Sequence, residues 1–236
     1  MIISFTEAGF GENDCEYIYS DNSVQNEFEA FTGINRFLRE AKGEYVIICH
    51  QDVLIKLDQR EKLEQQIDLV GKLDPKWGVL GNAGVNNLFN VSMKYTDGEM
   101  KSYHKGILPS RVYSLDENFL VLKASANLAV AGDLSGFHMY GTDICLVAEC
   151  LGYSAFSIDF NIIHKGKGTV DESFYFLSDR LQEKYTKFFR SRYIRTTITR
   201  FYLSSNRFIN ALMNLGIMKS ISRFYYKVRF RIKGRI

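Results

Sequence analysis

The sequence predicts an α/β fold, a mixed and mostly parallel central sheet flanked by helices, carrying a basic helical extension at its C-terminal end. Three observations predict it. Tyr45-Val46-Ile47-Ile48-Cys49 is an unbroken apolar run rich in β-branched residues, bounded by Gly43 and followed by His50-Gln51-Asp52, which reads as a strand buried on both faces. Ahead of it lie a strand-like alternation and a helical periodicity, the order of a βαβ unit. The charge is also split. Residues 184–236 contain 14 of the 30 Lys and Arg and no Asp or Glu, so a tail of net +14 follows a body of net −11.

Ile2-Ile3-Ser4-Phe5 is a short apolar start. Glu16-Tyr17-Ile18-Tyr19-Ser20 alternates as a strand and stops at Asp21-Asn22-Ser23. Phe28, Phe31, Asn35, Leu38 and Ala41 recur at spacings of three and four, a helix face closed by Gly43. A short helical crossover makes the two flanking strands parallel and brings Asp21 and Asp52 to one edge. Asp58 then caps a helix with the apolar face Leu63, Ile67 and Val70, ending near Gly71 and Pro75. Trp77–Gly81 is the next strand, and Asp97-Gly98 turns a hairpin between Val91–Tyr95 and Met100–Tyr103. Strands at Val112–Leu115 and Phe119–Leu122 flank Asp116-Glu117-Asn118, and from there the sheet becomes mixed. Ile144, Val147, Ala148 and Leu151 form a helix face closed by Gly152, with Asp143 at its start. Ala155–Ile163 alternates as a last strand, ending in His164 and Lys165-Gly166-Lys167-Gly168.

A chain of 236 residues fits one large domain, residues 1–183, with an appendage, residues 184–236. No run approaches the roughly 20 apolar residues that span a bilayer, and the N-terminus lacks a basic segment followed by a long apolar one, so the expected location is the cytoplasm. Cys15, Cys49, Cys145 and Cys150 show neither a C-x-x-C pair nor zinc spacing and read as reduced, structural thiols. Ligands of open α/β sheets sit beyond the carboxyl ends of the strands, which draws attention to Asp21, Asp52 and His164. Each also has a plain structural reading: a helix cap, a solvated loop or a packed histidine. Asp143 reads equally as a carboxylate favoured by a helix N-terminus.

Four blocks in order resemble the GT-A glycosyltransferases, specifically the family 2-like bacterial enzymes, over roughly residues 2–170. They are Asp21-Asn22-Ser23; Asn35 through Ala41-Lys42-Gly43-Glu44-Tyr45 into His50-Gln51-Asp52-Val53; Phe137-His138-Met139-Tyr140-Gly141-Thr142-Asp143-Ile144-Cys145-Leu146 with Gly152-Tyr153; and His164. The resemblance implies a GT-A, Rossmann-like nucleotide-sugar-binding fold and an inverting, metal-dependent transfer from a nucleotide-sugar to a glycan or lipid-linked acceptor in polysaccharide biosynthesis. It implies that Asp52, at the last acidic place of the D-x-D motif, reaches a divalent metal (Mn²⁺ or Mg²⁺) and the diphosphate, and that His164 closes the metal site. Asp21, Asn22, Asn35 and His50 join Asp52 in binding the donor, and Asp143 takes the place of the general base. Asp116-Glu117 lines up with a position near the acceptor.

Three features depart from the family pattern. His50 stands where D-x-D has its first Asp, and imidazole favours Mn²⁺ over Mg²⁺. Thr142-Asp143 replaces an acidic pair, and the segment before Glu16 is too short for a first crossover helix.

In the tail, Ile217, Ile221, Phe224, Val228 and Ile232 recur at helical spacing with Lys219, Arg223 and Lys227 on the other side. This describes a basic amphipathic helix for the inner, anionic face of the cell membrane. Tyr226–Lys233 also alternates as a strand. The leading expectation has no nucleic-acid partner. Its rivals are a nucleic-acid-binding protein working through the basic aromatic tail and a GT-A fold that binds a glycan or nucleotide without turnover.

Overall fold

The computed structural model describes residues 1–236 except 23, 87–89, 167, 169 and 234–236, with the side chains of the last helix described as far as Tyr225. The elements in order are α1 (Ile2–Glu7), α2 (Ala30–Glu40), β1 (Tyr45–Cys49), β2 (Val53–Leu54), α3 (Arg60–Leu73), β3 (Trp77–Gly81), β4 (Ala83–Val85), β5 (Val91–Asp97), β6 (Ser102–Lys105), β7 (Ser110–Val112), β8 (Ser114–Leu115) and β9 (Phe119–Lys123). They continue with α4 (Tyr140–Cys150), β10 (Ser154–Ser157), β11 (Ile162–His164), α5 (Glu172–Phe189), β12 (Arg192–Arg195), β13 (Arg200–Leu203), α6 (Arg207–Met213) and α7 (Gly216–Lys233). Two compact units form, residues 1–181 and 182–236.

The first unit is a mixed α/β structure with two sheets, ordered β1-β9-β3-β10-β7 and β2-β11-β5-β4-β8, the hairpin strand β6 pairing with β5. Among the described residues only β3–β10 and β5–β11 are parallel; the other pairs are antiparallel. The expected mostly parallel sheet is therefore corrected to a mostly antiparallel one. The reason lies at β1, which pairs with β9 alone and is an edge strand, half-buried along its whole length rather than buried on both faces. Residues 16–20 add no strand beside it, and Ile2–Phe5 lies in a helix. Tyr17 instead donates its hydroxyl to the Phe10 carbonyl at 2.5 Å and packs on the core. Without that ladder there is no first βαβ unit, and Asp21 and Asp52 share no sheet edge.

Two predicted strands are each broken between the sheets. In Ala155–Ile163 the break is at 158–161, where Gln66 and Asp58 accept the backbone N–H groups of Asp159 (3.0 Å) and Asn161 (2.7 Å), so these donors are lost to any ladder. Asp58 consequently does not cap α3, whose N-cap is Gln59. Val112–Leu115 breaks at Tyr113, whose N–H goes to Val85 O at 2.9 Å. Trp77–Gly81 and the hairpin around Asp97-Gly98 form as expected.

The core joins α1, α3 and one face of the first sheet through Phe5, Leu63, Ile67, Val70, Trp77, Phe119, Val121 and Phe156. Each fully buried side chain of this size contributes roughly 1.5–3 kcal/mol. Leu120 and Leu122 alternate with Phe119 and Val121 and are equally buried, as a strand covered on both faces requires. α4 packs against β3, β8 and β10. Asp159 ties α3 to β5 through Lys62 (3.1 Å) and Lys94 (2.5 Å). All four cysteines are free.

In the second unit, β12 and β13 form an antiparallel hairpin. The Asn214 side chain bonds both backbone groups of Tyr202 at 2.9 Å, joining the end of α6 to the hairpin. The tail beyond Gly216 is helical, so the strand alternative for 226–233 is corrected. Among the described residues no helix is long and apolar enough to cross a membrane.

Candidate metal centre

β1 delivers His50 and Asp52 at its carboxyl end, and the chain turns at once into β2, with the Val53 N–H on His50 O at 3.2 Å. β2 pairs with β11 so that Val53 opposes His164. A strand end and its antiparallel neighbour thus bring residues far apart in sequence to one place. The ligand atoms of His50, Asp52 and His164 all lie within 4.8 Å of one another. His164 Nε2 stands 3.4 Å from Asp52 Oδ1, and the two imidazole centroids are 5.6 Å apart. The His164 side chain is 15% exposed and that of Asp52 34%, so the cluster opens to solvent on its carboxylate side.

The donor set suits a divalent cation. Ligand atoms about 2.1 Å from a common metal lie roughly 3–4 Å from each other, so a movement of under about 1 Å closes the three around an ion. The Tyr140 hydroxyl lies 3.1 Å from Glu117 O and 2.9 Å from His50 Nε2; when its single proton goes to Glu117 O, His50 Nε2 is the donor in the second contact. Nδ1 then carries the lone pair and is free to face a cation, with Tyr140 in the place of the outer-shell partner that would orient the ring. Burial, reinforced by His164, holds the His50 imidazole below its ordinary pKa, keeping it neutral as ligation requires.

Glu117 is the other chemically tuned group. Its carboxylate accepts backbone N–H groups of Gly141, Met139 and Tyr140, and so caps the start of α4 from a distant loop. Burial, with Asp116 adding to it, nevertheless pushes its carboxyl up to about 7.

The remaining sequence-predicted residues lie elsewhere. Asp143 is fully buried, its Oδ2 accepting the Ala131 N–H at 2.7 Å. That bond anchors α4 to the 130–131 segment and holds the expected base in a buried contact. Asn35 grips both backbone groups of Val130, at 2.9 and 3.0 Å. It lines a cleft with Val46 and Leu122, near the start of β1 and away from the His50 end. Asn22 organises its own turn, accepting from Glu27 N at 3.0 Å and donating to Phe28 O at 2.9 Å. Asp21 is exposed in irregular chain, and Ser23 of the same block lies outside the described residues.

No family model matches the chain. The protein named "ATP synthase subunits region ORF 6" from Fuscovulum blasticum is 34% identical over 198 residues, covering 81% of this chain and 80% of that protein. The chain belongs to the ORF 6 family. That name denotes a region and states no chemistry. The crystal structure of A197 from STIV aligns with 15% identity and a TM-score of 0.36, covering 71% of this chain and 90% of that one; a likeness at that level carries no argument about function.

Two consequences of this geometry are measurable in this chain. Gly166 sits against the centre so closely that a Cβ there would overlap Asp52 Oδ2 and approach His164 Nε2 to 3.4 Å. Gly166→Ala should weaken divalent-cation binding by about tenfold or more while leaving the urea midpoint nearly unchanged. Glu117 couples stability to pH. Its folded pKa, about 7, lies above the ordinary 4.5, so its contribution is fully present below pH 4.5 and is lost as pH rises through 7. Between pH 5 and pH 8, Glu117→Gln should gain on the order of 2 kcal/mol relative to wild type, read from urea midpoints at both pH values.

Proposed function

We propose that this protein is a glycosyltransferase that moves a sugar from a nucleotide-diphosphate sugar to a glycan or lipid-linked acceptor, with inversion. The observation that carries the reading is the convergence of His50, Asp52 and His164 beyond the carboxyl end of β1. Asp52 and His164 are the two residues to which the resemblance of the ordered sequence blocks gives a metal. A divalent cation held there would neutralise charge developing on the departing diphosphate. With two imidazoles and one carboxylate the centre favours Mn²⁺ over Mg²⁺, and His50 becomes a ligand as well as a donor contact. We read the mixed sheet as a GT-A-type frame on the same grounds.

Glu117 replaces Asp143 as the general base. Its backbone carbonyl accepts from Tyr140, which also contacts His50, so the residue lies beside the cluster, and a carboxyl titrating near 7 is matched to taking and returning a proton at neutral pH. Exposed Ile217, Ile221 and Phe224 on the basic α7 support a peripheral position on an anionic membrane, where a lipid-linked acceptor would be met. The test is calorimetric titration with UDP-, GDP-, dTDP- and CMP-sugars in Mn²⁺, in Mg²⁺ and in chelator. One donor is expected to bind only with metal. Silence from every donor under every metal would sink the reading.

A further inference from the structure

A cavity of about 340 Å³ lies wholly within the C-terminal unit, lined by Arg195, Arg200, Lys219 and Arg223 together with Ser220 and the hairpin turn 196–199. Two like-charged pairs meet there. Arg195 and Arg200 are directly opposed cross-strand partners at the end of the β12–β13 hairpin. Lys219 and Arg223 stand one turn apart on α7. Like charges placed directly opposite on strands, or four apart on a helix, are destabilising. No carboxylate compensates: among the described residues none of these four side chains forms an ion pair, and the sequence holds no Asp or Glu after Glu183. The hydroxyls of Thr197 and Thr199 make no hydrogen bond among the described residues, while Thr196 is committed to bracing the turn, accepting from Thr199 N at 2.8 Å.

Four cations and two available hydroxyls around one cavity, all lacking an internal counterion, form a recognition set for a compact, multiply charged oxyanion. Three of the cations are guanidinium forks, which suit phosphoryl oxygens. The surroundings bear on the source of that oxyanion. Ile198, at the tip of the turn, is 96% exposed, and Ile217 and Phe224 on α7 are 74% and 72% exposed. Ile198, part of the cavity lining, sets an exposed apolar group beside a basic pocket, the arrangement of a module resting in a membrane interface.

We infer that this cavity binds a phosphoryl group, supplied by the headgroup of an anionic lipid. The inference deepens the membrane part of the reading above and needs nothing from the metal centre. The full chain is tested on phosphatidylcholine vesicles carrying phosphatidic acid or phosphatidylserine at equal surface charge. Phosphatidic acid presents the compact phosphomonoester; phosphatidylserine reports diffuse charge attraction. Wild type should prefer phosphatidic acid by about tenfold. Arg195→Gln/Arg223→Gln should abolish that preference, while Arg190→Gln/Arg207→Gln, which removes the same charge outside the cavity, should keep it whatever happens to overall affinity. The absence of a preference in wild type, or its equal loss in both variants, overturns the proposal.

Two further arms separate the other sources. Calorimetric binding of glycerol phosphate, lost in the cavity variant and unaccompanied by a vesicle preference, would overturn the lipid assignment in favour of a soluble phosphoester. Tighter binding of single-stranded RNA than of any vesicle, lost in the same variant, would overturn it in favour of nucleic acid. Cation binding at His50, Asp52 and His164, measured on the same variants, should be unchanged, so failure of the cavity and failure of the transferase reading are told apart.

Discussion

Asp52→Ala is expected to lower divalent-cation affinity by about 100-fold or more and to remove metal-dependent donor binding entirely. Three protein ligands are the minimum that holds a cation while leaving positions for a substrate. Asp52 supplies the cluster's carboxylate, so its removal leaves two imidazoles as the ligands at hand. Mn²⁺ titrations of wild type, Asp52→Ala and His164→Ala, each followed by the best donor of the panel, check the expectation. His164→Ala should lose less, because the carboxylate and His50 remain. Metal affinity unchanged in Asp52→Ala would mean that the three residues pack together without ever ligating.

Glu117→Gln should cut the transfer rate by about 10²–10⁴-fold, the usual worth of a positioned base, while Asp143→Asn should leave it within about threefold. The amide oxygens of both replacements can still accept the backbone N–H groups now bonded, so the folded frame is kept in each case. What differs is proton chemistry. Glu117 titrates close to neutrality, whereas Asp143 is fully buried with its Oδ2 on Ala131 N. Asp143→Ala removes that acceptor and should cost roughly 1–3 kcal/mol of stability by stranding a buried N–H, seen in the urea midpoint. The reverse pattern, an inactive Asp143→Asn and an active Glu117→Gln, would return the base to Asp143.

Several features were legible in the chain before any coordinate. The β-branched run 45–49, the Asp97-Gly98 turn and the spacing of Leu63, Ile67 and Val70 place β1, the β5–β6 hairpin and α3, because local propensity and hydrophobic period act over a few residues. The position of Asp52 just beyond a strand, and of His164 at the end of another, follows from the same local rules. Residues 184–236 were also legible as a separate basic unit, since all of their charged side chains are cationic.

The partner of each strand, in contrast, is a long-range choice that alternation does not encode. β1 became an edge strand because its one partner is β9, and the alternating segment 16–20 found no ladder to join. The single apolar run 155–163 became two strands because side chains of Asp58 and Gln66 captured its backbone donors. The role of a carboxylate proved equally non-local. Asp143 and Glu117 are both acidic residues at the start of α4 in space, and their sequence settings favoured Asp143. Burial against Ala131 made one an anchor, and burial beside Asp116, facing a helix end, made the other a group that titrates near neutrality. By itself the sequence determined local elements such as β1, α3 and the β5–β6 hairpin, and which ligand-bearing residues follow the strands. Pairing, burial and therefore chemical role were decided by the tertiary structure, because desolvation and hydrogen-bond capture depend on neighbours brought from elsewhere in the chain.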